Sequence, residues 1–112
     1  MRGFHTTVEH LDAGTVCVAL HGELDLEHAY AFDAEIRGLE ADRPSCLVLD
    51  LRALTFLDSC GLARLLAARR RARREHRRLV LVRGPAAVQR LFALAAVDEA
   101  FEIVNEVPAA VS

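Results

Sequence analysis

The chain has 112 residues, of which 53% are hydrophobic and 27% charged, and its formal net charge is −2. This length and balance predict a single domain over residues 1–112 and exclude a wholly disordered protein. No run approaches the ~18 apolar residues of a membrane-spanning helix, and the first residues lack the apolar core of a signal peptide, so we expect a cytoplasmic protein with no membrane contact. The three cysteines form no CxxC pair, which argues against a disulfide framework and a cysteine-rich zinc site.

The first half of the chain changes from strand-like to helical periodicity near residue 25. Residues 4–9 form a weak strand candidate, and residues 15–20 form a strong β-branched one that Gly22 should close. From Leu26 onward, apolar residues recur at helical spacing, and Asp25 is a suitable N-cap. We therefore predict two strands followed by an amphipathic helix that ends near residues 42–44.

The second half repeats an alternation of buried strands and helices. Residues 46–51 are nearly all apolar, as in a central strand that is covered on both faces. Asp58 is suited to cap a following helix that runs to about His76, and residues 79–82 form another buried strand. A third helix is predicted to start at Gly84 and Pro85, since proline is well placed in a first turn.

With a last short strand at residues 101–104, the predicted order is strand, strand, helix, strand, helix, strand, helix, strand. Short crossovers between buried strands favour parallel pairing with right-handed connections, and the N-terminal pair can add an antiparallel edge. We therefore predict an α/β fold with a small mixed sheet of four to five strands and helices packed on it.

The segment with most chemical content is the loop that presents Asp58 and Ser59 at a helix start. The first N–H groups of a helix lack internal partners, and the macrodipole places partial positive charge there. A phosphate on Ser59 would find donors and a favourable dipole, and it would add up to two negative charges beside Asp58. From spacing alone, a plain capping sequence is the more common explanation, because Asp and Ser caps are frequent.

Several motifs together resemble the STAS domain, and specifically the stand-alone anti-sigma factor antagonists of bacteria. They are Gly-Glu-Leu-Asp at residues 22–25, Leu-Asp-Leu at 49–51, Phe-Leu-Asp-Ser-Cys-Gly-Leu at 56–62 and Val-Gln-Arg-Leu-Phe at 88–92. The similarity covers nearly the whole chain with the expected spacing. It implies a STAS-like fold.

The resemblance also implies a regulatory cycle. The unmodified domain would bind an anti-sigma factor, itself a serine kinase of the histidine-kinase-like ATPase type, and so free a sigma factor. The kinase would phosphorylate Ser59 and end the complex, and a PP2C-type phosphatase would reverse this. The chain would then be a substrate and switch, not an enzyme, with no cofactor of its own, since ATP and Mg²⁺ belong to the kinase. The expected partner-binding residues are Asp25, Asp58, Ser59, Cys60, Gly61 and Arg64.

Two positions depart from the family pattern. Cys60 stands where Ser or Thr is usual after the phosphoacceptor, which leaves Ser59 as the only hydroxyl of the motif. His28 stands where the family often has Thr, near the expected partner surface, so partner choice can differ.

All 14 basic residues are arginine, and eight of them lie between residues 64 and 78. Such a run invites a nucleic-acid interpretation, but the net charge is negative, aromatic residues are few and no DNA-binding motif is present. We therefore predict a solvated helix face and no direct nucleic-acid contact, and the alternative is that the arginines contact an acidic patch on a partner. The five histidines show no HxH or HExxH spacing, so no metal site is predicted.

Two other functions remain open at this point. One is an accessory STAS subunit of an ABC-type lipid transporter, which binds an ATPase and does not require phosphorylation; an intact Asp58-Ser59 favours the regulator. The other is a small thiol-dependent enzyme that uses Cys60, whose position at a helix start can activate a thiol. Cys17 and Cys46 lie within predicted strands and are expected in the core.

Overall fold

The computed structural model describes residues 3–108, which form a six-stranded sheet and three α-helices. The strands are β1 (Phe4–His10), β2 (Thr15–Leu24), β3 (Cys46–Asp50), β4 (Leu54–Leu57), β5 (Arg78–Val82) and β6 (Glu102–Val104). The helices are α1 (Leu26–Glu40), α2 (Ser59–Arg74) and α3 (Ala86–Leu94), and a 3-10 turn covers Asp98–Ala100. Within this part of the chain, every helix is too short or too polar to cross a membrane.

The sheet is mixed, as predicted, with the order β1-β2-β3-β5-β6. β1 is an antiparallel edge on β2, whereas β2–β3, β3–β5 and β5–β6 are parallel. The predicted number of four to five strands is too low, because the sequence of β4 carries no strand signal. β4 has only four residues, of which the first and last are buried and the middle two exposed, so it lacks the alternation that identifies a strand in a sequence.

β2 is long enough to pair with two successive strands along the same edge. Its first half pairs with β3, and its last three residues pair with β4 across a register shift at Gly22. The prediction that Gly22 ends this strand is therefore wrong. Gly22 has φ +95°, and a Cβ there would lie 2.1 Å from the Gly3 carbonyl oxygen, so glycine is required for this bulge. As a result, β2 and β4 end side by side, and α1 and α2 begin next to each other.

All three helices pack on one face of the sheet. The main core joins that face to Phe32 and Ile36 of α1, Leu65 of α2 and Phe92 of α3. A second cluster on the other face contains no residue of the described helices: Cys17, Cys46, Val48, Val80 and Val82. β3 is thus buried throughout, as predicted, and the two strand cysteines are core residues. Burial, reinforced by the nearby Asp50 charge, raises the pKa of the Cys17 thiol to about 11.

The arginine-rich segment is not the uniformly solvated face that we predicted. Arg71 is buried between α1 and α2, where its Nε donates to Glu40 Oε1 at 2.7 Å and its Nη1 donates to Asp33 Oδ1 at 3.2 Å. Arg77 is also buried, and Arg69 donates to the Ala100 carbonyl oxygen. The sequence places acidic residues on α1, but only the packing of α1 against α2 brings them to Arg71.

Candidate partner-binding site

The starts of α1 and α2 are joined by one carboxylate. Asp58 is the N-cap of α2, and its Oδ1 accepts the Gly61 N–H at 2.9 Å. Its Oδ2 accepts the N–H of Leu26, the first residue of α1, at 3.0 Å. Asp58 therefore satisfies an unpaired donor at the positive end of each helix, which fixes the two helix starts relative to each other. Sequence reasoning identified the α2 cap but missed the bond to α1.

Ser59 opens α2 and is exposed, as the sequence predicted. The carboxylate of its neighbour Asp58 already accepts hydrogen bonds from both helix starts, and Asp58 is half-buried. A group attached to Ser59 would therefore lie at the surface, close to two helix N-termini whose dipoles favour negative charge.

Asp25 caps α1 in the predicted way. Its Oδ1 accepts the His28 backbone N–H at 3.2 Å and lies 2.8 Å from the His28 ring Nδ1. Partial desolvation acts to raise the pKa of Asp25, but the hydrogen bonds from His28 outweigh it and hold that pKa below its ordinary value. His28 thus has a local partner in the capping group of α1.

Gly61 is buried, so its contribution to this surface is indirect. A Cβ at this position would lie 2.5 Å from the Leu24 carbonyl oxygen and 2.7 Å from Leu57 Cδ1. Glycine therefore allows the first turn of α2 to approach the ends of β2 and β4, which the Asp58 bridge to α1 requires.

A small cavity of about 170 Å³ separates the first turns of α1 and α2. It is lined by Ala29, Tyr30, Ser59, Cys60, Ala63 and Arg64. The Arg64 guanidinium carbon lies 5.4 Å from the centre of the Tyr30 ring, which is a cation–π contact between the helices. The described lining includes no histidine or carboxylate beside the Cys60 thiol.

Exposed apolar side chains lie at and near the two helix starts. Leu26 and Tyr30 of α1 are 62% and 68% exposed, and Phe56 of β4 is 45% exposed. Next to Asp58, an apolar groove of about 230 Å³ runs between β4 and α3, where Leu94 is also exposed. Sequence reasoning did not single out these residues. The available signal was that Leu26 and Tyr30 are apolar, four residues apart, and lie on the otherwise polar side of α1.

The structure brings the predicted partner-binding residues of α1 and α2 into one region. Asp25, Asp58, Ser59, Cys60 and Arg64 all lie at the adjoining helix starts. Among the described residues, one group with metal-ligating atoms also lies here: Asp25, Glu27 and His28, whose ligand atoms are within 4.8 Å of one another. Two residues of this group, Asp25 and His28, are joined in the cap of α1, where Asp25 accepts the His28 backbone N–H.

The chain matches the family model described as "Mlab, STAS domain" over residues 8–105, and it therefore belongs to the STAS domain family. It is 33% identical over 90 residues to the anti-sigma-F factor antagonist RsfB of Mycobacterium tuberculosis, a match that covers 80% of this chain and 73% of RsfB.

Two solved structures are similar to this one. The crystal structure of an anti-sigma factor antagonist from Mycobacterium paratuberculosis is 31% identical, with a TM-score of 0.84 over 94% of this chain and 88% of that one. Unphosphorylated SpoIIAA, at 21% identity, shares the fold with a TM-score of 0.77 over 91% of this chain and 90% of its own.

Proposed function

We propose that this protein is an anti-sigma factor antagonist whose binding surface is the adjoining start of α1 and α2. One observation carries the proposal: an exposed serine, Ser59, opens α2 beside a carboxylate that caps both helices. The similarity to RsfB and to the mycobacterial antagonist of known structure supports the same function.

The surface has the composition of a protein-binding site. Tyr30 and Leu26 are exposed and apolar, and Arg64 lies over the Tyr30 ring. Tyr and Arg contribute disproportionately to protein interfaces, because each combines a large contact area with a polar group. We propose that an anti-sigma factor covers these side chains together with Asp25, Asp58, Ser59 and Cys60.

Phosphorylation of Ser59 is the proposed off-switch. The phosphate adds up to two negative charges beside Asp58, and a partner that covers it must remove its hydration. A surface complementary to a neutral hydroxyl has no cation placed to compensate that cost. A 100-fold loss of affinity requires only about 2.7 kcal/mol, which one buried unpaired charge can supply. The fold should tolerate the phosphate, because it sits at helix N-termini.

In this proposal the chain is a substrate and not an enzyme. The anti-sigma factor is a serine kinase of the histidine-kinase-like ATPase type that brings ATP and Mg²⁺. A PP2C-type phosphatase removes the phosphate and restores Ser59. This protein, the kinase and the phosphatase all act in the cytoplasm. The alternative of a lipid-transporter subunit is not favoured, because the relatives described above are anti-sigma factor antagonists.

The test starts with the candidate kinase and ATP. We expect mass spectrometry to find one phosphate, on Ser59, and calorimetry to show at least a 100-fold weaker complex for the phosphorylated form. Ser59→Asp should also bind weakly, whereas Ser59→Ala should bind normally and resist the kinase. The matched control is Ala34→Asp, which adds a charge at an exposed position in the middle of α1 and should leave binding unchanged.

Equal affinity of the two forms would refute the switch. Modification of Thr55, with Ser59 untouched, would move the site to β4 and refute the assignment of Ser59.

A further inference from the structure

The first strand of the sheet has an open side. β1 lies at one end of the strand order β1-β2-β3-β5-β6, and among residues 3–108 it pairs with β2 alone. All seven residues of β1 pair in an unbroken register, from Phe4 opposite Gly22 to His10 opposite Val16. The other strands with an open side, β4 and β6, have only four and three residues. β1 is therefore the longest open edge in the described part of the sheet.

Hydrogen bonds just beyond the two ends of β1 show which backbone groups point to the open side. The Gly3 carbonyl oxygen accepts the Glu23 N–H at 2.9 Å, and the Leu11 N–H donates to the Thr15 carbonyl oxygen at 2.9 Å. In an antiparallel pair, residues that bond to the partner strand alternate with residues whose N–H and C=O groups point away from it. The odd-numbered residues of β1 therefore bond to β2. The outward groups belong to the even-numbered residues: Phe4, Thr6, Val8 and His10.

β1 lacks several features by which proteins protect an open edge. Lysine, proline, a bulge or a very short strand each hinder the pairing of an edge with another strand. β1 contains no lysine and no proline, and its register with β2 has no bulge. Val8, near its middle, is 43% exposed. A regular open strand of this length is a template on which a further strand can pair.

The sequence of β1 is complementary to a second copy of itself. Two antiparallel β1 strands pair over all seven residues in a single register, which places Thr7 opposite Thr7 and the outward groups of Thr6 opposite those of Val8. In the same register, the exposed His5 of each copy lies opposite the exposed Glu9 of the other. Thr–Thr pairs and oppositely charged pairs are favourable cross-strand neighbours. A shift by two residues loses two of the seven pairs and separates His5 from Glu9.

We propose that the partner of this edge is a second copy of the chain, joined through β1 about a two-fold axis. Such an interface is self-complementary, because the same residues meet on both copies. The two sheets become one continuous sheet, and Val8 of each copy packs beside Thr6 of the other. Because the copies run in opposite directions, their Ser59 residues lie at opposite ends of the joined sheet. The proposal does not depend on the function proposed for Ser59.

Sedimentation equilibrium of the full chain at rising concentration tests the association. We expect a monomer–dimer equilibrium, with amide exchange at Thr6 and Val8 that slows as the dimer forms. The Thr7 amide is the internal control, because it bonds to β2 within each copy and should exchange at the same rate at every concentration. A chain that stays monomeric at millimolar concentration, or a dimer in which Thr6 and Val8 gain no protection, would overturn the proposal.

Exchange of the two charged positions tests the register. Glu9→Arg places a cation opposite His5, and His5→Glu places a carboxylate opposite Glu9. Each contact occurs twice in the dimer, so each single variant should weaken association about tenfold, while the double variant His5→Glu/Glu9→Arg should dimerise at least as well as the parent.

The matched control for Glu9→Arg is Glu99→Arg, which makes the same charge change at an exposed position outside β1 and should dimerise like the parent. Thermal melting of the dilute variants checks that each monomer is folded. Parental association in Glu9→Arg, or a double variant as weak as the single ones, would contradict pairing through β1 in this register.

Discussion

At one end of the α1–α2 pair, the Asp58 carboxylate accepts N–H groups from both helices; at the other end, the Arg71 guanidinium donates to Asp33 and Glu40 of α1. Each group has the charge that its end of the helices favours, since helix N-termini attract anions and C-termini attract cations. The two ends differ in burial: Asp58 is partly exposed, whereas Arg71 is only 6% exposed.

Because of this difference in burial, one end joins the two helices and the other end exposes side chains at the surface. The ion pairs of Arg71 join the two helices in the interior of the protein. The exposed end uses a carboxylate bound to backbone groups, which leaves the neighbouring hydroxyl of Ser59 and the side chains of Leu26 and Tyr30 at the surface. Under the proposed function, a helix pair joined in this way leaves its open end free for recognition that depends on one added charge at Ser59.

The largest effect is expected from breaking the buried end. Arg71→Met leaves Asp33 and Glu40 without their shared cation, which should lower the free energy of unfolding by ~3 kcal/mol. Urea denaturation measures this, with the exposed Arg74→Met as control, for which we expect a change within ~0.5 kcal/mol. If Arg71→Met unfolds like the control, the buried ion pairs do not hold the helices together.

The pH dependence of the free energy of unfolding tests the ion pairs of Asp33 at the same end, and we expect a smaller change than in Arg71→Met. Burial acts to raise the pKa of Asp33, but the Arg37 hydrogen bond and the Arg71 charge outweigh it and lower that pKa. A depressed native pKa stabilises the fold above the unfolded value of about 3.9, and this stabilisation is lost as the pH falls through the native pKa. The parent should therefore lose more stability than Asp33→Asn in urea titrations between neutral pH and about pH 3; parallel losses would contradict the pairing.

Gly61→Ala tests the close approach at the exposed end. The added Cβ would strike the Leu24 carbonyl oxygen, so we expect a loss of ~2 kcal/mol in the free energy of unfolding. Gly38→Ala, in α1, is the matched control, because no atom lies within 4 Å of its added Cβ; it should stabilise the protein by ~1 kcal/mol. Effects of the same sign in both variants would refute the close approach at Gly61.

Removal of the double cap is the next test. Asp58→Ala deletes acceptors at two helix starts and should cost about 1–2 kcal/mol, measured by chemical denaturation. Asp58→Asn keeps one carbonyl oxygen and should lose about half as much. An Asn variant as unstable as the Ala variant would show that the carboxylate charge, not the number of acceptors, stabilises the pair.

The smallest effect on stability is expected from Arg64. Arg64→Gln removes a cation–π contact at a partly exposed position, which is worth about 0.5–1 kcal/mol. Tyr30 is the only tyrosine and the chain has no tryptophan, so its fluorescence reports the loss directly. The variant should also bind the anti-sigma factor more weakly than the exposed control Arg70→Gln, which lies further along α2; an unchanged Tyr30 signal with normal binding would exclude Arg64 from the surface.

Much of the fold was predictable because its signals are local. The apolar run of β3, the helical spacing after Leu26 and the caps Asp25 and Asp58 each depend on neighbours in the sequence, and all agree with the structure. Ser59 at the start of α2 follows from its cap in the same way. The family motifs of residues 22–25 and 56–62 added the regulatory interpretation.

The tertiary structure decided what depends on contacts between distant segments. β4 exists as a strand because the end of β2 is available to pair with it, and the Asp58 bond to Leu26 joins groups 32 residues apart. Arg71 is buried because α1 presents Asp33 and Glu40 to it, although its sequence context is that of a solvated arginine run. Periodicity states which face of an element is apolar, but only packing determines which other element covers that face, and therefore which polar groups become partners.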